Sequence, residues 1–158
     1  MSHSDAVQQF WSDYRATLAD NHPHHQAVYS AWMFGDSPAL GDELAALVLS
    51  GKKTATASAI WSYEDGDDPE PYTGELSVIL NGADEPVCII ETLELTVKSF
   101  DDVDEQFAYD EGEGDRSLAY WRDAHERFFK REFAQEGKRT FSYQMPVLCE
   151  RFKVIYKT

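Results

Sequence analysis

The apolar side chains near the N-terminus recur at three- and four-residue steps, which is the spacing of one helix face. They follow Ser4, whose hydroxyl suits the N-cap position of a helix. The members of this face are Val7, Phe10, Trp11, Tyr14 and Leu18. The pattern therefore predicts an N-terminal helical extension within residues 1–25.

Two more helices are predicted before the pattern changes. A short helix is expected over residues 27–32, and a longer one ends at Gly51. Glycine readily adopts the left-handed conformation that ends many helices, so Gly51 suits the position after the last turn. The apolar positions of the longer helix are Leu40, Leu44, Leu47 and Val48.

After Gly51 the pattern is that of strands separated by turns. In the longest strand, Leu93, Leu95 and Val97 alternate with polar residues, which predicts one buried and one exposed face. The predicted strands cover residues 54–58, 76–80, 86–100 and 146–156.

Acidic segments that are rich in glycine or proline interrupt these strands. Residues 64–71 are interpreted as an acidic loop. Residues 101–115 are rich in acid and glycine, with a tight, exposed loop expected over 110–115, and lead into a strongly amphipathic helix. The apolar face of that helix consists of Leu118, Trp121, His125, Phe128, Phe129 and Phe133.

The order of these elements predicts the fold class. Helices precede and interrupt the strands without a regular strand–helix–strand rhythm, which argues against a parallel α/β sheet. The chain is therefore expected to be one α+β domain, residues 1–158, with a small mixed or antiparallel β-barrel flanked by helices. Residues 32–156 are expected to form its core.

Charge and composition narrow the class of partner. The 158 residues carry a net charge of −15, whereas proteins that bind long nucleic acids usually have a basic face. Non-specific binding to DNA or RNA is therefore disfavoured, although a local basic pocket remains compatible with this charge.

The N-terminus has neither the basic start nor the apolar run of a signal peptide, and no stretch could cross a bilayer. A cytoplasmic location without membrane contact is expected.

The segment Gly51-Lys52-Lys53-Thr54-Ala55-Thr56 is the strongest candidate for chemistry. Lysines at a helix C-terminus are favoured by the helix dipole, and this is the structural interpretation. In the functional interpretation, a lysine among hydroxyl groups at a barrel mouth binds an anion or stabilises an oxyanion. A desolvated lysine of lowered pKa could also act as a base for a threonine or a water molecule.

A second candidate is the acidic run that includes Glu111 and Glu113. Acidic residues before a helix can simply interact with its N-terminal dipole, but a carboxylate facing a lysine would suit proton transfer. Glu91 is a third candidate acid, because it shares strand parity with Leu93; alternatively a bulge returns it to solvent. Phe34 and Trp61 flank the lysine segment and are candidates for stacking on a base. Neither a metal nor a cofactor is expected.

Taken together, these segments resemble the ASCH domain family of the PUA-like superfamily. The resemblance covers most of the chain, and its motifs are specific in combination rather than singly. It is carried by Trp32-Met33-Phe34-Gly35-Asp36, by the run from Leu47 to Thr56, and by Glu111-Gly112-Glu113-Gly114-Asp115 leading into the Trp121 helix.

The resemblance implies a small β-barrel with helices around one opening and the lysine motif lining the cleft. Members of the family are linked to RNA and modified nucleosides, and one branch removes the acetyl group from N4-acetylcytidine. By motif, its site corresponds to Lys53, Thr56 and Glu111, with Glu113 as the rival acid. The expected roles are nucleophile for Thr56, activator or oxyanion donor for Lys53, and proton shuttle for Glu111.

Three functions remain open at this stage. The first is a hydrolase of a modified nucleoside, with Lys52, Thr54, Phe34, Trp61 and Glu113 in contact with the substrate. The second is a ribonuclease, metal-independent or metal-assisted, acting on single-stranded RNA through a basic groove. The third is a non-catalytic RNA-binding module. The partner is accordingly a small nucleoside or single-stranded RNA, and the oligomeric state stays open.

Overall fold

A computed structural model describes residues 3–158 and places five helices and five strands among them. The helices are α1 Asp5–Arg15, α2 Pro38–Ser50, α3 Ile60–Asp65, α4 Glu105–Glu111 and α5 Leu118–Glu136. The strands are β1 Ser30–Met33, β2 Ala55–Ala59, β3 Leu76–Leu80, β4 Pro86–Ser99 and β5 Pro146–Lys157. Short 3₁₀ turns cover Pro23–Gln26 and Phe100–Asp102.

All five strands belong to one curled, half-barrel sheet in the order β1-β3-β4-β5-β2. β1 runs parallel to β3, and the other neighbouring pairs are antiparallel. The predicted α+β class, with a small mixed barrel-like sheet flanked by helices, is confirmed. β1 and β2 form the two edges of the sheet.

Two predicted elements are wrong. The helix expected over residues 27–32 is largely replaced by β1, because these few apolar residues pair with β3 and gain a sheet partner. A short apolar run does not reveal its own period, so helix and strand are hard to tell apart in it. The loop expected over residues 110–115 is shorter than predicted, because α4 begins after the N-cap Asp104 and continues to Glu111. The acidic loop expected over 64–71 begins only after α3 ends at Asp65.

The predicted buried face of β4 is also wrong. Leu93 is 45% exposed and Val97 is 57% exposed, whereas Thr92 is 2% exposed. The register shifts between Thr92 and Glu94, and the pairing of β4 with β3 ends at Glu91. Beyond this point β4 pairs only with β5, so alternation no longer corresponds to a buried and an exposed side.

Helices cover the sheet in three places. Val7, Phe10, Trp11 and Tyr14 of α1 pack with residues of β3 and β4, and α2 packs on the same strands and on β5 through Leu44 and Val48. The third cluster joins β2 and β5 to α4 and α5, and its aromatic members include Phe100, Phe107, Trp121, Phe129 and Phe133. Because α4 and α5 meet β2 here, the residues at their ends lie next to the lysine segment.

Two left-handed glycines bring the ends of α2 and α4 together. Gly51 follows α2 with φ 85°, as predicted, and Gly112 follows α4 with φ 73°. A Cβ atom on Gly112 would lie 2.4 Å from the carbonyl oxygen of Lys52 and 2.9 Å from the amide nitrogen of Lys53. The amide nitrogen of Thr54 donates to the Asp110 carbonyl at 2.8 Å, so backbone packs directly on backbone.

Alanine at these two glycines is expected to affect stability unequally. Gly51→Ala meets no atom within 4 Å, so it should lower the free energy of unfolding only by the left-handed strain, about 1 kcal/mol. Gly112→Ala carries the same strain and also forces the two backbone segments apart, so its cost should be clearly larger. Urea unfolding of both variants measures the difference, and equal costs would contradict the close approach at Gly112.

Candidate functional site

The turn before β2 sets the direction of Lys53. After Gly51 the chain reverses, and the amide nitrogen of Lys53 donates to the Leu47 carbonyl oxygen at 3.2 Å. β2 begins only at Ala55, so Lys53 lies in the turn and escapes the strict alternation of a strand. Lys53 and Thr56 can therefore line one cavity, although in an ideal strand they would point to opposite sides.

The Lys53 side chain is 1% exposed, and its ammonium group is fully hydrogen-bonded. Nζ donates to the Ala55 carbonyl oxygen at 2.9 Å, to Glu111 Oε1 at 3.1 Å and to Glu113 Oε2 at 2.8 Å. It also lies 5.4 Å from the centre of the Phe34 ring. A buried charge is tolerated when it is paired and its donors are satisfied, and both conditions hold here.

The two carboxylates decide the protonation state of Lys53. Burial by itself lowers the pKa of the ammonium group, but the charges and hydrogen bonds of Glu111 and Glu113 outweigh burial and raise this pKa above its ordinary value. The expectation that a desolvated Lys53 becomes a base of lowered pKa is therefore wrong. At neutral pH Lys53 is a hydrogen-bond donor and a positive charge.

Glu111 is held on both sides. Its Oε1 accepts from Lys53, whereas its Oε2 accepts from the indole Nε1 of Trp121 and lies 3.3 Å from His125 Nε2. Burial raises the pKa of Glu111, but the charges of Lys53 and His125 and the two donated hydrogen bonds bring this pKa below its ordinary value. Glu111 is therefore an ionised, immobilised carboxylate at 1% exposure.

Glu113 is more exposed than Glu111 and has fewer hydrogen-bond partners in the described residues. Its side chain is 20% exposed, and its Oε2 accepts from Lys53 at the edge of the site. Ligand atoms of Glu111, Glu113 and His125 lie within 4.8 Å of one another, which is a donor set that a divalent cation accepts. The Lys53 ammonium already bridges the two carboxylates, so a metal ion would have to displace it.

A cavity of about 200 Å³, here called the Lys53 cavity, opens beside the ammonium group. Arg127 and Arg131 of α5 lie at this cavity and pair with Asp123 and Asp36 at 2.9 Å and 3.2 Å. The charged and hydroxyl-bearing residues of its lining are Lys53, Thr56, Glu111, Glu113, Tyr120, His125, Arg127 and Arg131.

A second cavity of about 610 Å³, here called the barrel cavity, lies between the two edge strands. Thr56 and Ala57 of β2 line both cavities, so β2 stands between them. The residues that line the barrel cavity are Ser30–Trp32 of β1, Thr56–Ser58 of β2, Asp68, Pro69 and Pro71 of the acidic loop, and His3, Tyr29, Tyr63, Glu75, Ser77 and Glu150.

The structure brings together four residues of the predicted site, because Lys53, Thr56, Glu111 and Glu113 line the Lys53 cavity. Phe34, predicted to stack on a base, is instead buried beside the Lys53 ammonium and lines neither cavity. The other residues expected to contact substrate but placed elsewhere are Lys52, Thr54 and Trp61.

These three residues have other contacts. Lys52 and Thr54 are exposed and line neither cavity. Trp61 packs against Phe133 and under the Arg139 guanidinium, with 5.5 Å between the rings of the aromatic pair. Glu91 also lies away from the site, half-buried and 3.7 Å from Lys153 Nζ.

Sequence reasoning missed the buried polar residues at the barrel cavity. Ser77 and Glu150 line this cavity at 2% and 6% exposure, and Thr92, at 2% exposure, donates to Glu150 from β4. Glu150 shares strand parity with Leu148 and Phe152, which was a usable sign that its carboxyl group faces inward. The partnership of Trp121 and His125 with Glu111 carried no such sign, because both residues fit an apolar helix face.

Two of the comparisons with known proteins name the same family. A family model described as the ASCH domain matches residues 30–156. No curated protein matches the chain at a significant level.

None of the helices in residues 3–158 has the length and apolar character needed to cross a bilayer.

Two solved structures are similar over nearly the whole chain. An ASCH domain from Lactobacillus crispatus JV V101 is 31% identical, with a TM-score of 0.91 over 99% of this chain and 98% of that one. A protein from Enterococcus faecalis V583 is 34% identical, with a TM-score of 0.83 over 95% of this chain and 88% of that one.

Removing either carboxylate tests the roles of the two partners of Lys53. Glu111→Gln should lower the free energy of unfolding by about 3 kcal/mol or more, because a glutamine cannot accept at both atoms and the buried ammonium loses a charge. Glu113→Gln, at the exposed edge, should cost about 1 kcal/mol. Urea unfolding at neutral pH compares them, and a larger loss for Glu113→Gln would contradict the assignment of Glu111 as the anchor.

Proposed function

Since this chain belongs to the ASCH domain family, we propose that it is a hydrolase that removes the acyl group from a modified pyrimidine nucleoside, such as N4-acetylcytidine. The observation that carries the proposal is the buried Lys53 ammonium, held beside two carboxylates at the wall of a cavity that Thr56 also lines. Amide hydrolysis needs a nucleophile, a donor for the oxyanion and a group that moves a proton, and these three are present together.

The proposed reaction uses Thr56 as nucleophile. Its hydroxyl attacks the acyl carbon while Glu113 takes the hydroxyl proton, and the carbonyl oxygen becomes an oxyanion. Lys53 stabilises the oxyanion after one N–H group turns to it from Glu113. The carbon–nitrogen bond then breaks and Glu113 returns the proton to the departing amine. Water hydrolyses the Thr56 ester and releases a carboxylic acid.

The proposal assigns the proton shuttle to Glu113 instead of Glu111. Both oxygens of Glu111 have partners, and the lowered pKa makes it a poor proton carrier. Glu113 is more exposed, and the structure gives only its Oε2 a protein partner within the described residues. Glu111 then acts through Lys53 as a positioning residue.

The distribution of cations favours a small substrate over RNA. The basic groove expected for a ribonuclease would be built from Lys52, Lys53, Lys98, Arg116, Lys138 and Arg139, and three of these six residues are paired with acidic side chains. Lys53 is buried, Lys98 lies 3.5 Å from Asp104, and Arg139 binds Glu64 and Asp65. A nearly neutral nucleoside suits such a surface better than a polyanion does.

Loss of the Lys53 charge should abolish the reaction. Lys53→Met is expected to lower kcat for deacetylation of N4-acetylcytidine about a hundredfold to a thousandfold, because it removes an oxyanion donor. Lys52→Met is the matched control and should keep full activity, since Lys52 is exposed and lines neither cavity. Chromatography of the released cytidine gives the rates, and circular dichroism verifies that both variants are folded.

A parallel incubation with a labelled single-stranded RNA, with and without Mg²⁺, tests the competing function. We expect intact RNA and consumed N4-acetylcytidine. Cleavage of the RNA that needs Lys53 and weakens steeply with salt would replace the hydrolase proposal with the ribonuclease. If Lys53→Met deacetylates N4-acetylcytidine as fast as the wild-type protein, Lys53 has no role in the mechanism.

The role of Thr56 is tested by keeping or deleting its hydroxyl. Thr56→Ser should retain most of the activity, whereas Thr56→Val, of nearly the same shape, should lose it at least about a hundredfold. Mass spectrometry during turnover should detect wild-type protein carrying one acyl group. Equal activity of the serine and valine variants would show that water attacks the substrate directly.

A further inference from the structure

The buried polar residues of the protein fall into two groups. Lys53 and Glu111 form the first, and Ser77, Thr92 and Glu150 form the second. The two hydroxyl groups have partners within the protein, since Thr92 Oγ1 donates to Glu150 Oε2 at 2.8 Å and Ser77 Oγ lies 3.2 Å from Ser30 Oγ. Glu150 Oε1 has no protein partner among residues 3–158, and a largely buried carboxyl oxygen needs one. The second group lies on three neighbouring strands, and Ser77 and Glu150 face the barrel cavity. This arrangement is suited to binding a small polar molecule.

The walls of the barrel cavity suit a flat ring. Tyr29, Trp32 and Tyr63 line it. Tyr29 is already stacked on Trp11 and on His3, with 4.3 Å and 4.4 Å between ring centres, so Trp32 and Tyr63 are the rings left to stack on a ligand. Aromatic side chains bind nucleobases by stacking on their π-faces. Asp68, Glu75 and Glu150 line the same cavity, so a phosphate group is disfavoured there and an uncharged heterocycle is preferred.

A hydrogen bond fixes the orientation of the Glu150 carboxyl group. Thr92 Oγ1 donates to Glu150 Oε2 at 2.8 Å, so Oε2 is an acceptor. Burial raises the pKa of Glu150, Thr92 opposes this, and among the nearby charges Glu75 raises the pKa and Lys53 lowers it, with a net result above the ordinary value. Tyr63, whose hydroxyl donates to Ser58, also faces this region. Whenever Glu150 carries a proton on Oε1, it presents one donor, Oε1, beside one acceptor, Oε2, and Oε1 has no protein partner among residues 3–158.

Sheet register brings Glu150 next to the proposed nucleophile. Thr56 of β2 is the antiparallel partner of Glu150 of β5, and both line the barrel cavity. Side chains directly opposite in such a pair have Cβ atoms about 5 Å apart. An amide group held at Glu150 therefore has its acyl carbon within reach of the Thr56 hydroxyl.

We propose that Glu150 is the residue that binds and orients the heterocycle, by pairing with the edge of a cytosine-type ring. Oε1–H donates to the ring nitrogen N3, and Oε2 accepts the exocyclic N4–H that an N4-acylated cytosine retains. The ring stacks on the aromatic wall of the barrel cavity, and the acyl group projects towards Thr56. Because Thr56 lines both cavities, the acyl carbonyl oxygen would face the Lys53 cavity. This inference rests on the proposed function for the identity of the substrate, but its binding test needs no turnover.

The first test changes the ligand and leaves the protein intact. Calorimetry compares N4-methylcytidine, which keeps one N4–H, with N4,N4-dimethylcytidine, which has none. We expect the dimethyl compound to bind wild-type protein about tenfold more weakly or worse, because the Glu150 acceptor is left unpaired. Equal affinities, or no binding of N4-methylcytidine, would overturn the inference.

The second test changes Glu150. Glu150→Gln presents an amide N–H and a carbonyl oxygen in the same arrangement as a protonated carboxyl group, so it should bind N4-methylcytidine within a few-fold of wild type. Glu150→Leu should lose about tenfold or more in affinity. The proposal is overturned if Glu150→Leu binds as wild type does. If Glu150→Leu does not fold, the proposal is still tested by Glu150→Gln and by the comparison of N4-methylcytidine with N4,N4-dimethylcytidine.

Turnover separates this inference from the proposed function. Wild-type protein that binds N4-methylcytidine through Glu150 but never consumes N4-acetylcytidine would refute the hydrolase and support the binding site. Rapid deacetylation with an unchanged KM in Glu150→Leu would support the hydrolase and refute the role of Glu150. In the expected result, KM rises at least tenfold in Glu150→Leu and is restored in Glu150→Gln.

Discussion

A positive charge buried between two carboxylates is the interaction on which the rest of this structure depends. Lys53 comes from the turn after α2, whereas Glu111 and Glu113 come from the end of α4 and the segment after it. An ammonium group is stable at this depth only if its partners are in place, so these segments must meet. Gly112 permits the close approach, and Trp121 of α5 holds Glu111 from its other side.

Much of the fold could be predicted from the spacing of apolar residues, because a long periodic segment distinguishes a helix from a strand. α1, α2 and α5 have apolar faces at helical spacing, and β3, β4 and β5 lie close to their predicted bounds. Short elements were missed for a physical reason. β1 exists because β3 offers it a parallel partner, and nothing within four residues records that pairing. The exposure of Leu93 similarly depends on where β3 ends.

The site was predictable where a local motif carried it and unpredictable where only the sheet assembled it. Lys53, Thr56, Glu111 and Glu113 belong to two short motifs, and they meet as the resemblance implied. The protonation state of Lys53 could not be foreseen, since it depends on how many carboxylates reach the ammonium group. Thr56 and Glu150 face one another through strand register, which no spacing along the chain reports.

The position of β5 between β4 and β2 has a consequence for folding during synthesis on the ribosome. β2 leaves the ribosome early, yet its only neighbour in the described sheet is the last strand to be made. The partners of Lys53, Glu111 and Glu113, are also made late, because they lie 58 and 60 residues further along the chain. Such distant pairings form slowly, because a long loop must close first. The Lys53 ammonium can therefore be buried between its two acids only after the chain has been made beyond Glu113.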